Sequence, residues 1–344
     1  MGQCNRLMTS ILVPKFSSII FPCKKVHTLP PCHHKQLSIM YTSKYGKTIK
    51  LFLMDSVPDG RVICELSNWT GKAYRIPRGK VKDCSEREDL RSTAVYLLFG
   101  KPETSTDKAK VYIGEAENVY ARLVSHVSEK EFWNEAVVFI SKDENLNKAH
   151  IKYLESRLFE IANIACRYDV QNSNTPTKSS ISESDRAEME EFIEYIKILI
   201  NTLGFKVFEP LISQNLVNSS DNSEKLYIRA ARGADATGQR TPDGFVVFRN
   251  SEIASDTVKS YRDKGLNKLR DELIENKIIV ETDSKLIFKS DYLFSSPSAS
   301  AMVIMGRSAN GLLEWKDSSG RILRDIEKQE ITTANKQIQS TIIN

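Results

Sequence analysis

Acidic residues are missing from the first 54 positions, which hold eight Lys or Arg and no Asp or Glu. The remaining chain carries 41 basic and 44 acidic residues, so the formal charge of +5 belongs to that opening segment alone. A uniformly basic nucleic-acid binder is thereby excluded, and any phosphate affinity must come from a local patch. Long apolar runs are also missing. No stretch reaches the roughly 18 to 20 residues of a membrane-spanning helix, so no membrane partner is expected. The six cysteines (Cys4, Cys23, Cys32, Cys64, Cys84 and Cys166) form no Cys-x-x-Cys pair, and no secretory leader is evident. Free thiols in a reducing cytoplasm are the simplest expectation.

The 344 residues suit two domains, or one domain with extensions. Residues 1–39 concentrate Pro14, Pro22, Pro30, Pro31, three cysteines and three histidines. They read as a disordered tail, as an organellar transit peptide, or as the product of a start codon placed too early, with Met40 the alternative. Cys23, His27, Cys32 and His33 have zinc-ligand chemistry but no common finger spacing. Arg6 stands where an N-myristoylation signal needs Ser or Thr.

A β-rich lead-in is expected over 40–91. Its strands are read at 48–54 and 61–66 around the turn Pro58-Asp59-Gly60, with a second turn at 68–72. Lys72, Arg75, Arg78, Lys80 and Lys82 read first as a solvated face and second as a contact for a DNA backbone.

The chemistry-bearing stretch follows. Ala94-Val95-Tyr96 opens an apolar strand, a polar loop spans 100–110, and a second strand ends in Tyr112-Ile113-Gly114. The next helix has Val119, Tyr120, Leu123 and Val127 as its apolar stripe, with Arg122 and His126 adjacent on one flank. A third strand is read at 136–140. A long helix over 147–166 then buries Ile151, Leu154, Leu158, Ile161, Ala162 and Ala165. Glu155 falls at the border of that stripe, and Glu160 on the solvated side. Singly, each polar residue has an ordinary structural fate: half-buried strand tyrosines, or helix-surface pairs of Arg122 with Glu117 or Glu129 and of Glu155 with Lys148 or Lys152.

Taken in order, the set resembles the GIY-YIG nuclease family over roughly 92–176. The first signature is Ala94-Val95-Tyr96, with alanine for the leading glycine and valine for isoleucine. The second, Tyr112-Ile113-Gly114, matches letter for letter. The resemblance implies a small central antiparallel sheet flanked by helices and an endonuclease that hydrolyses DNA phosphodiesters with Mg2+ or Mn2+. It implies Glu155 as metal ligand and Arg122 on the scissile phosphate. His126, Tyr96 or Tyr112 would handle the proton of the attacking water. An asparagine completes the family's set, and Asn172 is favoured over Asn174. Magnesium keeps most of its waters, so a single carboxylate suffices to hold it. The rivals are a catalytically inactive nucleic-acid-binding protein and an interaction module of a defence or repair assembly.

Beyond this stretch a short strand is read at 169–171 and a loop at 172–176. A helix capped by Ser184 or Asp185 follows, with Met189, Phe192, Ile193, Ile196 and Leu199 or Ile200 inward, ending at Gly204. The nuclease-like domain is placed at 92–209, a linker at 210–223, a second α+β domain at 224–327 and a polar tail at 328–344. In the second domain, strands are read at 226–230, 244–248, 278–281 and 286–289, and helices at 256–275 and 297–305. Ser295 to Ala299, Gly306 to Gly311 and Glu314-Trp315 resemble a domain of unknown function found behind GIY-YIG modules and similar to modules attached to restriction and modification proteins. That company implies DNA recognition; a structural or protein-interaction role is the alternative. The fold class expected is α/β of the α+β kind, the partner DNA, with no small-molecule cofactor and oligomeric state open.

Overall fold

The computed structural model describes residues 45–104, 106–211, 225–263 and 267–342. The tail at 1–39, Met40, the cysteine–histidine set within that tail and nearly all of the 210–223 linker lie outside the described residues. The chain is a mixed α+β structure with two seven-stranded sheets. No described helix is long and apolar enough to cross a membrane.

The first sheet contains β1 (Ile49–Leu53), β2 (Val62–Leu66), β3 (Gly71–Pro77), β4 (Ala94–Gly100), β5 (Lys110–Ala116), β6 (Glu135–Ser141) and β7 (Asp169–Val170). Their order is β1-β2-β3-β6-β4-β5-β7. The lead-in is therefore part of the first sheet: β3 pairs antiparallel with β6 from Gly71↔Ser141 to Pro77↔Glu135. The small central sheet expected from the resemblance is enlarged by three strands.

Strand β3 was expected to be a turn and a solvated basic face, and the difference has a physical cause. Gly71, Ala73, Tyr74 and Ile76 are buried, while Lys72 and Arg75 between them are only half-buried. Lys72 pairs with Asp89 at 2.8 Å, and Arg75 bonds the Pro58 carbonyl. Arg78 donates to Val127 O at 2.8 Å and to Lys130 O, closing the end of the following helix. Lys80 pairs with Asp83 at 3.2 Å. Lys72, Arg75 and Arg78 thus satisfy local carbonyls and carboxylates, while Lys80 and Lys82 remain exposed, as a solvated face would have them.

Three helices belong to this half: α1 (Val119–Glu129), α2 (Lys148–Ala165) and α3 (Glu183–Thr202). Strand alternation sends side chains to opposite faces. Tyr96, Leu98 and Ala116 pack with Val119 and Leu123 of α1, and Tyr112 lies against that cluster. Val95, Leu97, Phe99, Val111 and Ile113 pack with Ile151, Leu154 and Leu158 of α2 and with α3. The inner stripe of α1 is Val119, Leu123 and His126, whereas the expected Val127 is 39% exposed. Asn147 caps α2 by accepting from Ala149 and His150. Helix α3 starts two or three residues earlier than expected, with Ser182 accepting from Asp185 N as its cap. Its inner stripe is Met189, Phe192, Ile193, Ile196, Leu199 and Ile200. Gly204, at φ +94, ends it.

The second sheet holds β8 (Leu226–Arg229), β9 (Asp235–Thr241), β10 (Gly244–Val247), β11 (Glu252–Ile253), β12 (Ile279–Thr282), β13 (Lys285–Phe288) and β14 (Tyr292–Phe294). Its order is β12-β13-β11-β9-β10-β14, with β8 also beside β9. Strand β9 is central although its sequence, Asp-Ala-Thr-Gly-Gln-Arg-Thr, reads as a polar loop. Its partners β8 and β10 supply the apolar side chains. Helices α4 (Lys259–Asp263) and α5 (Lys268–Glu275) replace the single helix expected over 256–275. Helix α6 (Pro297–Met305) is capped by Ser296 and ends at Gly306 in the left-handed region, as its sequence signals. Helices α7 (Gly311–Glu314) and α8 (Leu323–Ile342) complete the chain, and α8 occupies the stretch expected to be a polar tail. Arg240 on β9 pairs with Glu330 of α8 at 2.6 Å.

Trp315, fully buried, anchors this half. Its ring lies 4.5 Å from that of Phe245, and its Nε1 donates to Ser300 Oγ at 3.0 Å. Trp315→Ala is expected to cost about 3–5 kcal/mol, chiefly through the cavity left by the indole. An unfolding free energy from urea titration within about 0.5 kcal/mol of wild type would contradict that packing role.

Candidate active site at the edge of the first sheet

The hairpin β4–β5 sets the site. Tyr96 stands opposite Gly114, and Leu98 opposite Tyr112. Gly114 is required by close approach: a Cβ there would fall 2.5 Å from Tyr96 Oη and 2.9 Å from Tyr112 Cε1. The glycine lets the Tyr96 ring cross its partner strand and reach α1. There Tyr96 Oη meets His126 Nε2 at 2.7 Å. The Tyr96, Tyr112 and His126 rings form one cluster, with centroids 5.5 to 6.3 Å apart.

Burial separates these residues by role. Tyr96 and His126 are both fully buried. Burial drives the Tyr96 hydroxyl well above the ordinary phenol range, and Arg122 only partly offsets this. Burial, reinforced by Arg122 and Lys130, pushes the His126 imidazole down to about 4. At neutral pH the two are a phenol and a neutral imidazole, placed behind the surface. Tyr112 is half-buried and Arg122 exposed, so these two can touch a ligand. Lys130 Nζ sits 4.4 Å over the Tyr112 ring. Desolvation lowers the Arg122 pKa, but Tyr96 and Tyr112 outweigh it and raise it.

Glu155 projects from α2 and is half-buried. It makes no hydrogen bond or ion pair among the described residues. Burial first, and the Glu115 charge second, push its carboxyl up to about 7, against the pull of Lys152 and Arg122. Glu115 was not singled out from sequence. It follows Tyr-Ile-Gly on β5, in the register that faces α2, so strand alternation was the available signal. Glu155 and the tyrosine cluster approach from opposite faces of the sheet, and Arg122 is electrostatically coupled to both.

At this point β5 is nearly an edge strand. β7 pairs with it only at Lys110 and Val111. Asn172 then closes the edge: its Oδ1 accepts from Ile113 N at 3.0 Å and its Nδ2 donates to Ile113 O at 2.7 Å. Both halves of the Asn172 amide are thus spent on the strand between Tyr112 and Gly114. Asn172 positions β5, and Asn174 is exposed. Glu160 also differs from expectation. It is half-buried and pairs with Arg157, which binds Glu190 of α3 at 2.7 Å. Arg157 links that side of α2 to α3, while the Glu160 side chain stays 44% exposed.

Among the described residues no group of three or more His, Cys, Asp or Glu is gathered to hold a metal. A closed protein cage is therefore not built here. The unpartnered Glu155 carboxylate beside Glu115 fits a hard cation that retains most of its water. No curated protein and no solved structure matches the chain. Residues 226–327, which run from β8 into the start of α8, match the family described as Domain of unknown function (DUF4357).

Proposed function

We propose that the chain is a metal-dependent endonuclease that hydrolyses DNA phosphodiester bonds at the edge of the first sheet. The observation that carries this reading is Glu155, a half-buried carboxylate with no hydrogen bond or ion pair among the described residues, raised to about 7 by burial and Glu115 and within electrostatic reach of Arg122. The half-buried carboxylates Glu190 and Asp89, by contrast, are paired. Perturbed, unpaired groups mark functional sites.

In this reading Glu155 holds Mg2+ or Mn2+, with Glu115 adding negative charge to the same place. Bound there, the cation would supply charge neutralisation at the phosphate and acidify its own water. Arg122 binds the non-bridging oxygens of the scissile phosphate, where a positioned cation is worth most. Tyr112 contacts the reacting phosphate, with Lys130 over its ring. Tyr96 and His126 hold that ring in place from within. Asn172 fixes the strand. Lys152 adds a further cation for the DNA backbone. The three described cysteines, Cys64, Cys84 and Cys166, are free thiols, which suits a cytoplasmic location. The DUF4357-like module is assigned to DNA recognition through its resemblance to modules that accompany such nucleases.

The test is incubation of the purified full chain with supercoiled plasmid, with and without Mg2+ or Mn2+. Nicking or linearisation that stops with EDTA and returns with excess metal is expected. Binding that retards the plasmid without any cleavage would favour a catalytically inactive nucleic-acid binder instead.

A further inference from the structure

His126 has a second ring nitrogen that the Tyr96 contact does not use. Nδ1 is buried and has no hydrogen-bond partner. A buried N–H without an acceptor is destabilising. If Nε2 accepts the Tyr96 hydroxyl proton, Nδ1 must carry the imidazole hydrogen. The nearest acceptor is the Glu129 carboxylate, one turn along α1, with Oε2 3.6 Å from Nδ1. Glu129 is itself held: the Ser125 hydroxyl donates to its Oε1 at 2.5 Å. That bond keeps the Glu129 carboxyl ionised, below the usual range. A small rotation of the Glu129 side chain brings the second oxygen into hydrogen-bond range of Nδ1.

We infer that Glu129 is a positioning residue that fixes the His126 tautomer, so that Nε2 always presents a lone pair to Tyr96. This rests on the nuclease reading for its purpose, but not for its geometry. The groups around the imidazole are Tyr96 from β4, Tyr112 from β5, and Arg122, Glu129 and Lys130 on or just beyond α1. Trp133 uses its indole N–H on the His126 carbonyl at 3.2 Å and leaves the ring free. Of these groups only Glu129 is an anion. Arg122 and Lys130 both oppose protonation of His126, so Glu129 alone favours an N–H directed outward. Ser125 sets the side chain of Glu129 and thereby the tautomer one step further back.

The experiment is nitrogen-15 NMR of histidine-labelled full chain, with His126 assigned by loss of its signals in His126→Asn. In wild type the Nδ1–H tautomer is expected to predominate at pH 7 to 8. Glu129→Ala is expected to shift His126 toward a tautomer mixture and to lower its titration midpoint. Glu129→Asp, which keeps the carboxylate, is expected to restore much of the wild-type ratio. An Nε2–H tautomer in wild type, or signals unchanged in Glu129→Ala, would overturn the assignment. Plasmid cleavage is measured in parallel: kcat is expected to fall about tenfold in Glu129→Ala with little change in DNA affinity. Absence of cleavage in every variant would sink the nuclease reading and leave the tautomer result standing. Normal cleavage with a changed tautomer would sink the catalytic purpose of the contact.

Discussion

Glu155→Gln is expected to abolish metal-dependent DNA cleavage, by two orders of magnitude or more, while DNA binding is kept. Glutamine has the shape but not the charge, so it gives no anchor for a hard cation. Binding survives because removing a carboxylate beside phosphates relieves repulsion. Arg122→Ala is expected to fail as well, through loss of phosphate stabilisation worth about 3 kcal/mol. Glu160→Ala should cleave normally. Its loss loosens only the Arg157–Glu190 network, at a cost of about 0.5–1 kcal/mol.

The same substitution has a second signature, in stability against pH. The Glu155 carboxyl is raised from its ordinary 4.5 to about 7. The native state therefore binds the extra proton between those values. Its contribution to stability is full below pH 4.5 and is lost as pH rises toward 7. The full linkage of about 3 kcal/mol falls to about 1–2 kcal/mol once partial exposure is allowed for. His126 has the opposite sign. Its midpoint drops from 6.5 to about 4, so its contribution is full above pH 6.5 and is lost as pH falls through 4. The two slopes oppose each other in wild type. Glu155→Gln should therefore show stability rising with pH between about 4 and 6.5, and should exceed wild type above pH 7. His126→Asn should show stability falling between 4.5 and 7. Thermal unfolding at five or six pH values checks both, and parallel curves for the three proteins would refute the assignments.

Gly114→Ala is the second large effect. The new methyl must displace the Tyr96 hydroxyl or the Tyr112 ring, because both lie within 3 Å of its position. Tyr96 cannot swing away, since it is fully buried among α1 and β6 side chains. The strands must part or the Tyr96–His126 bond must break. Either outcome costs about 2–4 kcal/mol, as overpacking added to a lost buried hydrogen bond. Cleavage should be lost with it. Ala94, in the position of the first signature's glycine, is already fully buried, which shows that position to accept a methyl. A chain with Gly114→Ala that unfolds and cleaves like wild type would mean that the crossing of Tyr96 and Gly114 has been misplaced.

Much of the hairpin, α1, β6 and α2 could be read from sequence because their apolar periods are clean and their ends are marked. Asn147 and Gly204 act where such residues usually act. The misreadings share one cause, in that the partner lies far along the chain. Lys72, Arg75 and Arg78 looked solvated because Asp89, the Pro58 carbonyl and the end of α1 are not visible as their partners in a linear pattern. Strand β9 is polar in sequence and takes its burial from the strands on either side. His126 was left off the α1 stripe because it is polar, yet it occupies the core position that Val127 was expected to fill. At the site, the types of residue were legible and their roles were not. Burial decides that Tyr96 and His126 stand behind Tyr112, and hydrogen bonding decides that Asn172 serves its neighbouring strand. Glu115 was hidden because one carboxylate after a strand signature carries no signal until α2 is seen to face it.

The central claim is that Glu155 is a metal-binding carboxylate at a site shared with Arg122 and Tyr112. Its most direct test is carbon-13 NMR titration of the Glu155 side-chain carboxyl in the full chain, assigned by Glu155→Gln, with and without excess Mg2+. The expected result is a midpoint near 7 without metal and a downward shift of at least a unit with Mg2+, because a bound cation favours the ionised form. An ordinary glutamate midpoint that Mg2+ leaves unmoved, with duplex DNA present or absent, would contradict it.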